Sequence, residues 1–156
     1  MQIKRITSSE HHLVTSLFNA YRMFYKQPTD MALAERFIKE RLLNNESVIF
    51  AALVEKDGRQ RPAGFTQLYP LISSVRAVKK WLLNDLYVDA SYRKQGIGEA
   101  LLKTAIEFAR NDGAVYLQLE TTADNFTAQS LYKTAGFVKQ PQSSSFFTYK
   151  IELTTP

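Results

Sequence analysis

The residues with the clearest chemical reading in this 156-residue chain lie in one stretch, Leu86-Tyr87-Val88-Asp89-Ala90-Ser91-Tyr92-Arg93-Lys94-Gln95-Gly96-Ile97-Gly98-Glu99-Ala100-Leu101-Leu102. A strand-like run ends, a short loop carries Arg93, and Gly96 and Gly98 bracket Ile97 where a helical pattern begins. Glycine admits a phosphate close to the main chain because no Cβ stands in the way. The first helical turn offers unpaired N–H groups at the positive end of the helix dipole, and Arg93 can add a charge-assisted bond to the same group. That chemistry is the holding of a pyrophosphate. The same two glycines also suit a tight strand-to-helix turn with no ligand. Two common nucleotide motifs do not fit: Leu101 stands where a dinucleotide fingerprint needs its third glycine, and no Gly-Lys-Ser/Thr follows for a P-loop.

Other chemistry is excluded by composition. The chain has no cysteine, so disulfides, thiolate catalysis and cysteine-ligated zinc are ruled out. Its two histidines, His11 and His12, are too few for an ordinary catalytic zinc site and read most simply as a solvated pair, so no metal is expected. No apolar run approaches the roughly 18 residues of a membrane span, and Met1-Gln2-Ile3-Lys4-Arg5-Ile6 lacks a signal-peptide core. A cytoplasmic protein with no membrane partner is expected. The formal charge of +5 raises the question of nucleic acid. The basic residues are scattered, with no run interleaved with aromatics, and a solvated surface plus a site for an anionic small molecule accounts for them better.

The elements that must position this stretch follow from periodicity. Gln2 to Thr7 reads as a short strand; Ser8-Ser9-Glu10 supplies an N-cap, and Leu13, Leu17, Ala20 and Phe24 then keep helical spacing. A second helix is expected from about Asp30 to Asn44. Val48 to Glu55 is a strand, Asp57-Gly58 a type I′ turn, and Ala63 to Tyr69 the return strand. Val78 to Asp89 is a long strand, and Gly96 to Asn111 a helix with a broad apolar face that stops at Asn111-Asp112-Gly113. Val115 to Thr121, a short helix Asn125 to Ala135 closed by Gly136, and a terminal strand Phe146 to Leu153 complete the pattern. Hairpin strands followed by strand, helix, strand and helix predict an α/β fold, a mixed sheet with helices on both faces, in one domain spanning 1–156.

Arg93-x-x-Gly96-x-Gly98 after Leu86-Tyr87-Val88 resembles the acetyl-CoA motif of the GNAT N-acetyltransferase superfamily. Glu120-Thr121-Thr122-Ala123-Asp124-Asn125 followed by Ser130-Leu131-Tyr132-Lys133-Thr134-Ala135-Gly136-Phe137 is similar to that family's second motif. The resemblance is specific over about Leu82 to Phe137; before that it is one of element order. It implies a mostly antiparallel sheet that splays at its central strands to admit acetyl-CoA, and direct acetyl transfer to an amine. By the same resemblance, the N–H of Leu86 would stabilise the thioester oxygen and Val88 would bond the pantetheine arm through its backbone. Arg93 and the amides of Gln95, Gly96, Ile97, Gly98 and Glu99 would hold the pyrophosphate. Asn125 would bond the pantetheine arm, cap the following helix, or both. Tyr132 is the family's usual general acid.

The acceptor side is less determined. A primary ammonium has a pKa near 10.4, so fewer than about one molecule in a thousand is unprotonated at pH 7 and something must take the proton. Asp85 and Glu120 are the carboxylates nearest the expected reaction centre. The strand is similar to that of polyamine-type members, which often carry Glu-Asp where this chain has Asn84-Asp85, and Asn84 cannot be a base. Tyr21, Arg22, Phe24 and Tyr25 fall between the two early helices, where this fold usually closes over the acceptor. Their spacing suits core packing, and their aromatic faces also suit an alkylammonium group. The expected substrate is a small-molecule amine, with a protein lysine or N-terminus as the second choice. An acyl-CoA sensor without turnover and a basic nucleic-acid module are the readings from other classes. A homodimer is expected by resemblance, through Ser143 to Leu153.

Overall fold

The computed structural model describes residues 1–142 and 146–153. Its elements, in chain order, are β1 (Gln2–Arg5), α1 (His12–Phe24), α2 (Met31–Leu43), β2 (Val48–Lys56), β3 (Arg59–Ser73), β4 (Val78–Val88), α3 (Ile97–Asn111), β5 (Leu117–Gln118) and α4 (Phe126–Thr134). The five strands form one sheet in the order β1-β2-β3-β4-β5, antiparallel throughout except for β4 with β5. The mixed sheet with helices on both faces is as expected.

Strand β2 shows why its sequence is an almost unbroken apolar run. Val48, Phe50 and Ala52 point to the core beneath α3, whereas Ile49, Ala51 and Leu53 point to the core beneath α1 and α2. A strand covered on both faces has no polar side to alternate with. The β2–β3 turn is the expected type I′, with φ of 54° at Asp57 and 71° at Gly58. Strand β3 runs further than expected in both directions, through Pro62 and Pro70. Pro62 sits at a register shift, where a missing N–H costs no ladder bond.

Helix α3 lies close against the sheet because β3 carries Gly64. A Cβ there would stand 2.8 Å from the Tyr87 carbonyl oxygen and 3.3 Å from side chains of Ile97 and Leu101. Since neither a main-chain oxygen nor a buried core yields easily, Gly64→Ala is expected to destabilise the fold by about 1–3 kcal/mol. Thermal denaturation checks this as a fall in Tm of several degrees.

The N-terminal boundaries shift slightly. Ser8–Glu10 form a separate 3-10 turn closed by a Thr7–Glu10 capping box, and α1 starts only at His12. His11 is partly buried beside Glu35, so only His12 is solvated as expected.

Two strand expectations are corrected. Of Val115–Thr121, Leu117–Gln118 forms the strand, paired with Trp81 and Leu82, while Val115 N–H donates to the Lys79 carbonyl and the Tyr116 carbonyl accepts from Trp81 N–H. Just past that point β4 carries an extra residue: Gln67 pairs with Asp85 and Leu68 with Leu83, leaving Asn84 unmatched. Such a bulge bends and twists its strand, and β4 leaves β5 there. The expected terminal strand Phe146–Leu153 is not formed; Phe146 is 85% and Tyr149 92% exposed. β5, only two residues long, offers this segment little to pair with, and strand propensity without a packed partner does not suffice. Ser143, also expected in the dimer region, lies outside the described residues.

The apex where β4 and β5 part is pinned by Trp81. Its Nε1 donates to Asp112 Oδ2 at 2.8 Å, Lys79 Nζ meets the same oxygen at 2.7 Å, and Phe108 packs on the ring at 5.1 Å. The Lys79 ammonium and the Trp81 donor hold the Asp112 carboxyl below its usual range. Among the described residues no helix is long and apolar enough to cross a membrane.

Candidate active site

The splay leaves main-chain groups of β4 without a neighbour. Asp89 N–H donates to the Ala63 carbonyl at 2.8 Å, which fixes the alternation of the antiparallel ladder. Tyr87, paired with Phe65, and Asp85, paired with Gln67, therefore bond to β3. Leu86 and Val88 fall between them, so their N–H groups face away from β3, into the gap that β5 leaves. Their side chains pack against the core beneath α3.

The gap ends at the start of α3. Gly96 takes a left-handed conformation, φ 79°, which turns the chain from loop to helix, and nothing stands within 4 Å of where its Cβ would be. Ala100 N–H makes the first helical bond, to the Gly96 carbonyl. Among the described residues, the amides of Gln95, Gly96, Ile97, Gly98 and Glu99 donate to no acceptor. Five successive free N–H groups at a helix N-terminus form an anion cradle. The exposed Arg93 lies beside it, with Nε on the Val88 carbonyl at 3.1 Å. Across the cradle stands α4, since a Cβ on Gly98 would meet Leu131 at 3.4 Å and Val88 at 3.9 Å. Asn125 caps α4, its Oδ1 accepting from Ala128 N–H at 3.1 Å. The capping role is thus present, and the Asn125 amide nitrogen is left over for another partner.

On the other side of β4, α1 and α2 enclose a cavity of about 420 Å³ lined by Tyr21, Arg22, Tyr25, Tyr69, Asn84 and Asp85 among others. Asp85 is 2% exposed. Asn84 Nδ2 donates to its Oδ1 at 2.7 Å, and Gln67 Nε2 donates to its Oδ2. Gln67 is itself held by Ser47, whose hydroxyl donates to Oε1 at 2.8 Å. The bulge explains the geometry: it lets the consecutive residues Asn84 and Asp85 both line the cavity. Burial raises the Asp85 pKa, and the donors Gln67, Asn84 and Tyr21 oppose that rise. A carboxylate so raised is a stronger base than one in water.

Tyrosines surround this carboxylate. Tyr21 OH reaches the Asn84 carbonyl at 3.3 Å, and burial together with the Asp85 charge raises the pKa of both Tyr21 and Tyr69. The Tyr25 ring lies 5.1 Å from that of Tyr21. Tyr132, on α4, is partly buried, and burial first and Tyr25 second raise its pKa. Tyr132 packs against the core beneath α3, and the Phe137 ring flanks it at 6.0 Å.

The structure thus brings Asp85 and Tyr25 to one cavity, and Leu86, Val88, Arg93 and Gln95–Glu99 along one groove; Tyr132 does not line the cavity and packs against the core beneath α3. Glu120 is exposed and does not line the cavity. Of the early aromatics, Tyr21 and Tyr25 line the cavity, while Phe24 is 58% exposed and takes no part in the core. Sequence reasoning missed Ser47, Gln67 and Tyr69. The adjacent polar pair Thr66-Gln67 inside the apolar run Ala63 to Leu68 was the available signal, because a buried polar side chain needs a partner.

This arrangement has counterparts in known proteins. The acetyltransferase (GNAT) family model matches residues 14–137. An uncharacterized N-acetyltransferase of Bacillus subtilis, YhfO, is 43% identical over 137 residues, covering 88% of this chain and 89% of its own. The thialysine N-epsilon-acetyltransferase of Caenorhabditis elegans is 24% identical over 97% of this chain and 91% of its own. Among solved structures, that of a probable acetyltransferase superposes with a TM-score of 0.86 at 35% identity, over the full length of both chains. A splayed β4–β5 pair, an amide cradle at α3 and a family match across both give one conclusion: the chain belongs to the GNAT family and is an N-acetyltransferase.

Proposed function

We propose that the protein transfers an acetyl group from acetyl-CoA directly to the primary amine of a small molecule, within one domain spanning residues 1–156. The observation that carries this is Asp85: a buried carboxylate, aimed by Gln67 and Asn84, on the strand whose Leu86 and Val88 amides face the gap. Acetyl-CoA is the acyl donor of this family, and it would bring the activated acyl group. The residues present fit it. Gln95–Glu99 and Arg93 would hold the diphosphate, and Val88 and the spare amide nitrogen of Asn125 would hold the pantetheine arm.

Leu86 N–H donates to the carbonyl oxygen as negative charge builds there, a contact worth roughly 3 kcal/mol of barrier. Asp85 accepts the proton of the acceptor ammonium, directly or through water, and its raised pKa narrows the gap to the amine. The cavity's aromatic walls suit the alkyl part of a small amine. Tyr132 donates to the departing thiolate. A thiol titrates near 8.5 and a tyrosine near 10, and burial moves Tyr132 higher still. Full proton transfer is therefore uphill, and Tyr132 acts by a hydrogen bond to developing charge.

Thiol release from acetyl-CoA over a panel of amines tests the activity. Tyr132→Phe is expected to lower kcat about 10- to 100-fold, the value of one hydrogen bond to a charged group; equal turnover would remove Tyr132 from this role. Turnover on a lysine peptide and on no free amine would move the reading to a protein acceptor. Coenzyme A binding with no turnover on any amine would make the domain a sensor. The segment Phe146–Leu153, whose large apolar side chains are exposed in the single chain, supports a homodimer, for which sedimentation is the check.

A further inference from the structure

The acceptor cavity is lined by one acidic and one basic side chain, Asp85 and Arg22, and the two form no ion pair. Arg22, in the last turn of α1, lines the cavity together with Asp85. Its Nη1 is shut off from solvent, and among the described residues no acceptor meets it. No cation contributes to the setting of Asp85, whose donors are the neutral groups Gln67, Asn84 and Tyr21. A shielded guanidinium nitrogen without an acceptor is costly, so its retention calls for a reason. The planar fork of arginine matches carboxylate and phosphate oxygens better than any neutral group.

We propose that Arg22 binds an anionic oxygen group on the acceptor, so that the substrate is an amine carrying a carboxylate or phosphate away from its reacting nitrogen. The inference rests on the acetyl-transfer reading above and narrows its substrate class. The ammonium goes to Asp85, the anion to Arg22, and the linking carbons lie against Phe18, Tyr21, Tyr25 and Phe37. A cavity of about 420 Å³ suits a molecule of this kind. A diamine would set its second cation against the guanidinium, which disfavours polyamines.

The test compares amines of matched length: ε-aminocaproate, aminohexyl phosphate, hexylamine and hexamethylenediamine. The expected result is a kcat/KM for one or both anionic amines about 10- to 100-fold above that for hexylamine, with the two anions ranking carboxylate against phosphate. Arg22→Met removes that preference mainly through KM, without changing coenzyme A affinity, and Arg22→Glu reverses it in favour of hexamethylenediamine. A wild-type enzyme indifferent to the anion, or a preference intact in Arg22→Met, overturns the proposal and leaves Arg22 as a charge at a helix end. Should coenzyme A bind while no amine is turned over, acetyl transfer itself has failed. Calorimetric titration of ε-aminocaproate and hexylamine onto the coenzyme A-loaded protein then decides for Arg22, equal affinities overturning the assignment.

Discussion

Asp85→Asn is expected to lower kcat/KM for the acceptor amine about 10³-fold, within the range for loss of a positioned general base. Coenzyme A affinity should be unaffected, because Asp85 faces the acceptor cavity and not the cradle at α3. The wild-type rate should rise with pH as Asp85 loses its proton, at a point above the ordinary carboxylate range because burial disfavours its charge. The variant loses that limb and keeps the one set by the amine. Stability moves the opposite way. The folded chain holds the Asp85 proton more tightly than the unfolded chain, so its contribution is complete below the unfolded pKa of about 3.9 and is lost as pH rises through the folded pKa. Melting both proteins across this range checks the sign: the Tm of wild type relative to Asp85→Asn should fall as pH rises above about 4. A constant difference would mean that folding leaves the titration of Asp85 unchanged.

Gly96→Asp is expected to cost more than about 100-fold in coenzyme A affinity. The new carboxylate would sit beside the five free amides proposed to receive the diphosphate. A like charge about 5 Å from a phosphate, at an effective dielectric near 20, costs about 3 kcal/mol. Folding should suffer little, since aspartate tolerates the left-handed conformation better than most residues and an acid at a helix N-terminus is favourable. Calorimetric binding with a matched melting curve separates the two effects. Lost affinity with a Tm within a few degrees of wild type supports the cradle; a collapse of both would point to a purely structural glycine.

The cradle was legible before any coordinates because its signal is local. Two glycines after a strand and before an amphipathic helix have few physical uses, and the spacing from Arg93 is short enough that no distant contact intervenes. Helices α2 and α3 and the Asp57-Gly58 hairpin were legible for the same reason. The acceptor side was not, because it is assembled across long separations. Ser47, Gln67 and Asp85 meet only through strand register, and the bulge at Asn84 that turns the carboxylate toward the cavity leaves no mark in composition. Glu120, like Asp85, falls within an expected strand close to the reaction centre; the early end of β5 leaves it in solvent. Phe146–Leu153 has good strand composition but pairs with no strand among the described residues, because composition alone does not supply a partner.

Trp81 has a practical bearing on all of this. It is the only indole in the chain, and it is lodged where β4 and β5 begin to diverge, against Phe108 and between Lys79 and Asp112. The protein therefore carries a built-in fluorophore at the vertex of its wedge. Anything that drives the two strands apart alters the polarity around that ring, so emission colour and lifetime give an optical read-out of wedge opening in the unlabelled native chain.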